Sequence, residues 1–286
     1  MQQLADPAQG LPVAGLRPER LAPSGLAGPD VSLLALQYAA RWSDGDPEQT
    51  RRRLYRFNSV PQNPVHRRLL GDPVAVRQQL IAAAGLDRGG LAGGYRLAAG
   101  GSGSWLSWRS QGASGGSTIA GTRKVYVTVA IDQLTAVLRA VMTVARDAAV
   151  PVLKFGADYA NLRRPDRIVI YVRDQAHATA VADALRPVLD GIPATELPFA
   201  ERLAPSVYTG LDPPSGRGAA MSWRGWVCRM LASALGSAAE HGPDMAVAAA
   251  LRCCRDRGID PARWSVPDSF FAHQPAGDLA DARGSR

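Results

Sequence analysis

Hydrophobic and polar residues alternate along positions 124–130, in the run KVYVTVA. Because successive side chains of a β-strand point to opposite faces of its sheet, this period of two predicts a strand. Lys124, Tyr126 and Thr128 share one face of the strand, and three valines share the other. The period then changes. From position 134 to 145 the apolar residues recur at helical spacing, which predicts a helix capped by Asp132.

Strands and helices continue to alternate on either side of this pair. Short apolar runs predict strands at 152–155 and 167–172, and an amphipathic pattern predicts a helix from about 175 to 189. The segments GGYRLAA, SWLSWRS and PSVYTG are further strand candidates. This order predicts an α+β fold in which a mixed, mostly antiparallel sheet packs against helices.

The first third of the chain and its end are predicted to be helical. One helix is predicted at 31–42, and another begins at Asp72, which can cap it, continues through Pro73 and ends before Gly85. The arginine-rich residues 51–56 are also assigned to a helix, whereas FNSVPQNPVHRRLLGDP is predicted to be a loop. Two helices, at about 219–236 and 243–258, are predicted to close the fold.

One domain with two loose ends is expected from the length of 286 residues. We predict a loosely ordered lead-in at 1–29 and a single α+β domain at 30–266, with a helical part at 30–90 and a core at 91–266. A flexible tail is predicted at 267–286. The glycine-rich segment QGASGGSTIAG is predicted to be flexible and able to cover a site.

Composition narrows the possible partners. The net charge of +8 favours an anionic partner, but the arginines are scattered and aromatic residues make up only 6%, so a nucleic acid is not expected. The sequence shows neither a signal peptide nor a run of 18 apolar residues, so a cytoplasmic protein without a membrane partner is expected. The three cysteines lack metal-ligand spacing, and no metal site is expected.

Only two of the 33 basic side chains are lysines, Lys124 and Lys154, and both lie in predicted strands. Arginine remains charged and is a poor proton acceptor. A lysine amine can act as a base where desolvation or neighbouring cations favour its uncharged form. These two positions are therefore candidates for chemistry, with chance retention at strand ends as the alternative.

Four short motifs recur in an order that resembles a known family. They are Lys124-Val125-Tyr126, Lys154-Phe155, Arg163-Arg164-Pro165-Asp166 and Ser222-Trp223-Arg224. Together they resemble the phosphothreonine-lyase superfamily of bacterial type III effectors, and the runs LKFGADYANLRRPDRIVIYV and GAAMSWRGWVCRML resemble its HopA-type branch. Relatives of that branch include the lyases of class V lanthipeptide and thioamitide biosynthesis. The resemblance spans about residues 95–260.

This resemblance implies a phosphothreonine-lyase-like core and a β-elimination. Phosphate would leave a phosphoserine or phosphothreonine of a precursor peptide, giving dehydroalanine or dehydrobutyrine. Lys154 would be the base, Arg164 and Arg224 would clamp the phosphate with Arg163 as a substitute, and Lys124 would be a further phosphate ligand. The reaction needs no metal or organic cofactor, and a separate kinase would supply the phosphorylated peptide.

Tyr126 departs from the family pattern, which has a histidine as the general acid at this position. A tyrosine beside several cations could still donate a proton, or it could be inert, so a catalytically inactive phosphopeptide-binding partner is the alternative function. Two structural readings also remain open. Lys124 and Tyr126 could form a solvent-exposed strand edge, and Arg163 and Arg164 could stiffen a turn. Asp166 is interpreted as a turn residue able to orient Arg164.

Overall fold

The computed structural model describes residues 28–42, 45–85, 91–98, 103–111, 123–214 and 221–272. Residues 1–27 of the predicted lead-in, and the glycine-rich segment from residue 112 onward, lie outside the described residues, whereas Gly28 and Pro29 begin the first helix. The helices are α1 (Gly28–Arg41), α2 (Pro47–Arg56), α3 (Pro64–Leu70), α4 (Pro73–Ala84), α5 (Leu134–Asp147), α6 (Tyr159–Leu162), α7 (Gln175–Leu189), α8 (Trp223–Ser237) and α9 (Pro243–Asp256).

Within the described ranges, eight strands form one sheet. They are β1 (Leu91–Ala92), β2 (Tyr95–Leu97), β3 (Trp105–Ser110), β4 (Arg123–Val127), β5 (Val152–Gly156), β6 (Ile168–Val172), β7 (Glu201–Ala204) and β8 (Val207–Leu211). Their order across the sheet is β1-β2-β3-β5-β6-β4-β8-β7. Every pairing among these described strands is antiparallel, and the predicted α+β class is confirmed.

One face of the sheet packs against helices. Val125 and Val127 of β4 are fully buried there, in a core that includes side chains of α4, α5 and α7. The alternation predicted for β4 therefore separates a helix-covered face from a second face that carries Lys124 and Tyr126. Because β4 lies between β6 and β8, it is a central strand, and the interpretation of these two residues as a solvent-exposed edge is wrong.

A second hydrophobic core joins α1, α2, α8 and α9. Trp223 and Trp226 of α8 are buried in it, as their apolar character predicts. Trp223 lies directly on Gly210 of β8, where an added Cβ would come within 2.5 Å of the indole Cδ1. The glycine thus allows the start of α8 to approach the sheet closely, on the face that carries Lys124.

Local signals predicted some element ends correctly and missed others. Asp72 caps α4 by accepting from the amides of Val74 and Ala75, and Gly85 ends it with φ of 76°. The predicted loop between the first helices contains α3, and β7 was not predicted. Asp132 does not cap α5 but lies in a short 3-10 turn before it.

The chain beyond Pro267 is packed rather than loose as far as Ala272, which corrects the predicted start of the tail. Arg123, a buried residue of β4, donates through Nε to Oδ1 of Asp268 at 2.7 Å. The second oxygen of Asp268 accepts from the amide of Gln175 at the start of α7. Phe270 and Phe271 pack against Trp226 with centroids 6.0 and 5.4 Å apart. The end of the described chain therefore belongs to the second core.

Candidate functional site

The two lysines of the chain meet on the same face of the sheet. Lys124 of β4 lies opposite Tyr171 of β6, and Lys154 of β5 lies opposite Val169 of the same strand. Their Nζ atoms are 4.9 Å and 5.6 Å from the centroid of the Tyr171 ring. One aromatic ring therefore contacts both ammonium groups, as a cation–π arrangement allows.

Lys124 is buried and paired with a carboxylate. Its Nζ forms an ion pair with Oδ2 of Asp212, which follows the end of β8. Burial alone would lower the pKa of Lys124, but the nearby Asp212 carboxylate outweighs it, so the pKa is raised. Lys124 therefore keeps its charge, which suits it to binding an anion rather than to accepting a proton.

Lys154 differs from Lys124 in its surroundings. It is half-buried, and its Nζ lies 4.6 Å from the centroid of Trp105 on β3. Within the part of the chain that the structure describes, Lys154 forms neither an ion pair nor a side-chain hydrogen bond. An amine without a carboxylate partner is the more suitable of the two lysines for accepting a proton.

Arg164 lies near the same Trp105 ring. Its Nε and Nη2 donate to the two oxygens of Asp166 at 2.9 and 2.7 Å, and Nη2 also donates to the hydroxyl of Tyr55 at 2.6 Å. Its Cζ is 4.9 Å from the Tyr55 ring centroid and 5.3 Å from that of Trp105. The prediction that Asp166 can orient Arg164 is confirmed by this two-point contact.

Arg224, the second residue of α8, contacts the same Asp166 carboxylate. Its Nη1 lies 2.9 Å from Oδ2 of Asp166, a distance typical of an ion pair, although Nη1 lacks a well-aligned hydrogen bond. Nε donates to the carbonyl of Pro198 and Nη2 to that of Tyr55. Burial would raise the pKa of Asp166, but Arg164 and Arg224 together hold it well below its usual range.

Arg163 has different neighbours from Arg164. Its Nε donates to the carbonyl of Val60 at 2.7 Å, and its Cζ lies 5.4 Å from the ring centroid of Tyr159. These contacts tie α6 to the loop after α2, so Arg163 fits the stiffening role and not that of a substitute phosphate ligand. Of the two adjacent arginines, Arg164 is the one that joins the lysines.

Tyr126 lies beneath this cluster with its hydroxyl buried and, among the described residues, without a hydrogen-bond partner. Burial raises its pKa well above the usual value, and the negative charges of Asp212 and Asp166 raise it further, against a smaller lowering by Arg224. The sequence left two roles open for this residue, a proton donor beside the cations or an inert side chain. The raised pKa suits a hydroxyl that donates a hydrogen bond while it keeps its proton.

The site as a whole is a row of cations alternating with aromatic rings. Lys124, Lys154, Arg164 and Arg224 are linked in this order through the rings of Tyr171, Trp105 and Tyr55. Two carboxylates hold the row: Asp212 at the Lys124 end, and Asp166 between the two arginines. Such an arrangement is suited to an anion that accepts from several donors, and a phosphate monoester is the common biological example.

Tyr55, Trp105, Tyr171 and Asp212 were not predicted as site residues. Trp105 and Tyr171 lie in segments predicted to be strands, and their alternation with buried neighbours would place them on the face of Lys154 once the pairing is known. Tyr55 comes from α2, and Asp212 comes from a turn-rich loop. Neither carries a local signal that distinguishes it from other tyrosines and aspartates in the chain.

No protein-family model and no curated protein matches this sequence. Solved structures do match. An effector protein from Pseudomonas syringae pv. tomato strain DC3000 has a TM-score of 0.51 at 13% identity, and the match covers 84% of this chain and 98% of that one. An effector from Pseudomonas syringae pv. syringae strain 61 has a TM-score of 0.49 at 12% identity, covering 82% and 97%.

A more distant match is a phosphothreonine lyase effector from Chromobacterium violaceum, with a TM-score of 0.36 at 13% identity over 52% of this chain and 91% of that one. The chain is thus structurally similar to Pseudomonas syringae effectors and distantly similar to phosphothreonine lyases. At these identities the similarity concerns the fold alone, and the chemistry has to be argued from the residues of the site.

Two further observations concern membranes and metals. Among the described residues, no helix combines the length and the apolar character needed to span a bilayer. The same ranges hold no cluster of histidine, cysteine, aspartate and glutamate that could bind a metal ion.

Proposed function

We propose that this protein is a phosphothreonine or phosphoserine lyase that acts on a phosphorylated peptide by β-elimination. The observation that carries the proposal is the convergence of both lysines with Arg164 and Arg224 on one sheet face. In a chain with 33 basic residues, this places the only two lysines at one site. The motif resemblance, which rests on these same residues, and the similarity of the fold to a Pseudomonas syringae effector both support the proposal.

The reaction needs cationic groups that bind the phosphate and, a short distance away, a base that reaches the Cα proton. Lys124 and Arg164 offer donors to the phosphate, and Arg224 adds positive charge from beneath. These cations neutralise the phosphate dianion and so make it a better leaving group. The aromatic rings keep the cations apart and partly exclude water, which strengthens their interaction with the anion.

Lys154 takes the proton from Cα of the phosphorylated residue. The electron pair of that C–H bond forms the Cα=Cβ double bond, and the bond between Cβ and the ester oxygen breaks. Phosphate leaves with the electron pair of that bond, and the peptide keeps dehydroalanine or dehydrobutyrine. The hydroxyl of Tyr126 is the donor left unpaired beneath the clamp, and it stabilises the departing oxygen by a hydrogen bond without giving up its proton.

The substrate we propose is a precursor peptide of modified-peptide biosynthesis, phosphorylated by a separate kinase. This part rests on the resemblance of the motifs to lyases of class V lanthipeptide and thioamitide pathways. The alternative is a catalytically inactive phosphopeptide-binding partner of such a kinase. The buried Tyr126 in place of the family histidine is the specific observation that favours it.

The deciding experiment incubates the protein with a mixture of synthetic phosphothreonine and phosphoserine peptides and follows them by mass spectrometry. A lyase removes phosphoric acid from the peptide, whereas a phosphatase removes the phosphoryl group and leaves the hydroxyl. The matched variant is Lys154→Arg, which keeps a positive charge but removes the base. We expect it to bind the peptides and to lose turnover by about 10²- to 10⁴-fold, as loss of a general base does. Unchanged phosphopeptides with the wild-type protein, together with tight binding, would establish the inactive binder instead.

A further inference from the structure

Lys124 is paired with a carboxylate of the protein itself. Its ammonium group pairs with Asp212, and the side chains are only 9% and 14% exposed. We propose that Asp212 is an internal competitor for Lys124, which restricts the site to phosphate monoester dianions and excludes carboxylate side chains. This role rests on the phosphate-binding function proposed above and adds a basis for selectivity to it.

The position of Asp212 is set by the fold. Its Oδ1 accepts a hydrogen bond of 2.8 Å from the amide of Trp223 at the start of α8, while Oδ2 faces Lys124. Gly210, two residues earlier, lies opposite Lys124 in the register and directly beneath the Trp223 ring. Because both oxygens are engaged and the indole is packed on the strand, the carboxylate is held beside Lys124 rather than swinging freely.

A ligand carboxylate and the Asp212 carboxylate carry the same charge. Exchanging one for the other at Lys124 gains no electrostatic energy and costs the desolvation of the ligand. A phosphate monoester brings about two negative charges and three oxygens, so it can share Lys124 with Asp212 while it also reaches Arg164. The second carboxylate of the site, Asp166, is engaged by Arg164 and Arg224 and does not contact Lys124.

The test compares two synthetic peptides that differ at one residue, phosphothreonine in one and glutamate in the other, by isothermal titration calorimetry. The full chain carries Lys154→Arg so that turnover does not consume the ligand. We expect the phosphopeptide to bind at least about 100-fold more tightly than the glutamate peptide. Adding Asp212→Asn, which keeps an acceptor for the Trp223 amide, should tighten glutamate-peptide binding by about tenfold or more and so reduce the discrimination.

Asp183→Asn is the matched control, because it removes the same charge from an exposed pair with Arg186 on α7. It should leave the discrimination unchanged. A folded Asp212→Asn protein that discriminates as strongly as its parent overturns the inference but leaves the lyase proposal standing. If Asp212→Asn fails to fold, the test rests on the Lys154→Arg protein alone. Glutamate-peptide affinity within about threefold of the phosphopeptide affinity in that protein also overturns the inference. Binding of neither peptide overturns the phosphate site itself, and this inference with it.

Discussion

Replacing Asp166 by asparagine is expected to destabilise the protein strongly. The carboxylate is 2% exposed and lies between the guanidinium groups of Arg164 and Arg224. Asparagine keeps the shape of the side chain but leaves two buried cations facing each other without a counter-charge. Removing one partner of a buried ion pair costs about 3–5 kcal/mol. Arg164 is partly exposed and keeps its contacts with Tyr55 and Asn161, so we expect a loss near the lower end, about 3 kcal/mol.

Guanidinium chloride unfolding followed by circular dichroism measures this loss as a shift in midpoint at constant slope. The control is Asp183→Asn, whose pair with Arg186 is exposed and should contribute about 1 kcal/mol or less. If Asp166→Asn unfolds within about 1 kcal/mol of the wild-type protein, Asp166 does not hold the two arginines together, and the description of the site as an organised cluster is wrong.

The same carboxylate makes a pH prediction with a definite sign. The pKa of Asp166 is lowered in the folded protein, whereas in the unfolded chain it has the ordinary value of about 3.9. Its contribution to the free energy of unfolding is therefore fully present above that unfolded value and is lost as the pH falls towards the folded pKa. The gap in stability between the wild-type protein and Asp166→Asn should narrow as unfolding is measured from pH 6 down to pH 3. A gap that stays constant over this range would show that the charge of Asp166 is not what stabilises the fold.

Three further outcomes are expected. Gly210→Ala should lower the free energy of unfolding by about 1–3 kcal/mol, because the new methyl group meets the Trp223 ring at 2.5 Å. Gly236→Ala, in the open part of α8, should raise the free energy of unfolding by about 0.5–1 kcal/mol. Equal effects would argue against the close packing of α8 on the sheet. Phe271→Ala should cost about 3 kcal/mol by the same measurement, and no effect would restore a flexible tail from position 267. Tyr126→Phe should change the free energy of unfolding by less than about 1 kcal/mol, since the hydroxyl is buried without a hydrogen-bond partner among the described residues. It should lower lyase turnover at least tenfold, and unchanged turnover would show that the hydroxyl has no part in the mechanism.

Local patterns in the sequence were sufficient for most helices and strands. The alternation around Val125 and Val127 identified β4 and its two faces, and the Asp72 and Gly85 signals identified both ends of α4. These features depend on residues within one turn or one strand, where side-chain period and capping chemistry act directly. One prediction failed because proline is a signal both for a loop and for the first turn of a helix. Pro64, in the segment predicted to be a loop, begins α3.

The scarcity of lysine also drew attention to the correct part of the molecule, since the two lysines lie on one face. That the two lysines lie close together could not be derived from their separation along the sequence. Lys124 and Lys154 are 30 positions apart, and they approach each other only because β5 and β4 both pair with β6 in one register. A shift of that register by one residue would turn a lysine to the helix-covered face.

By itself, the sequence determined the fold class, most of the helices and strands, and the kinds of residue available for binding an anion. The tertiary structure alone decided that Arg164 and not Arg163 joins the lysines, that Asp166 bridges two arginines, and that Tyr55 and Asp212 complete the site. The physical reason is that burial, charge pairing and the direction of a side chain depend on which distant segments pack together. Strand register and the docking of α2 and α8 settle those contacts, and no local pattern encodes either of them.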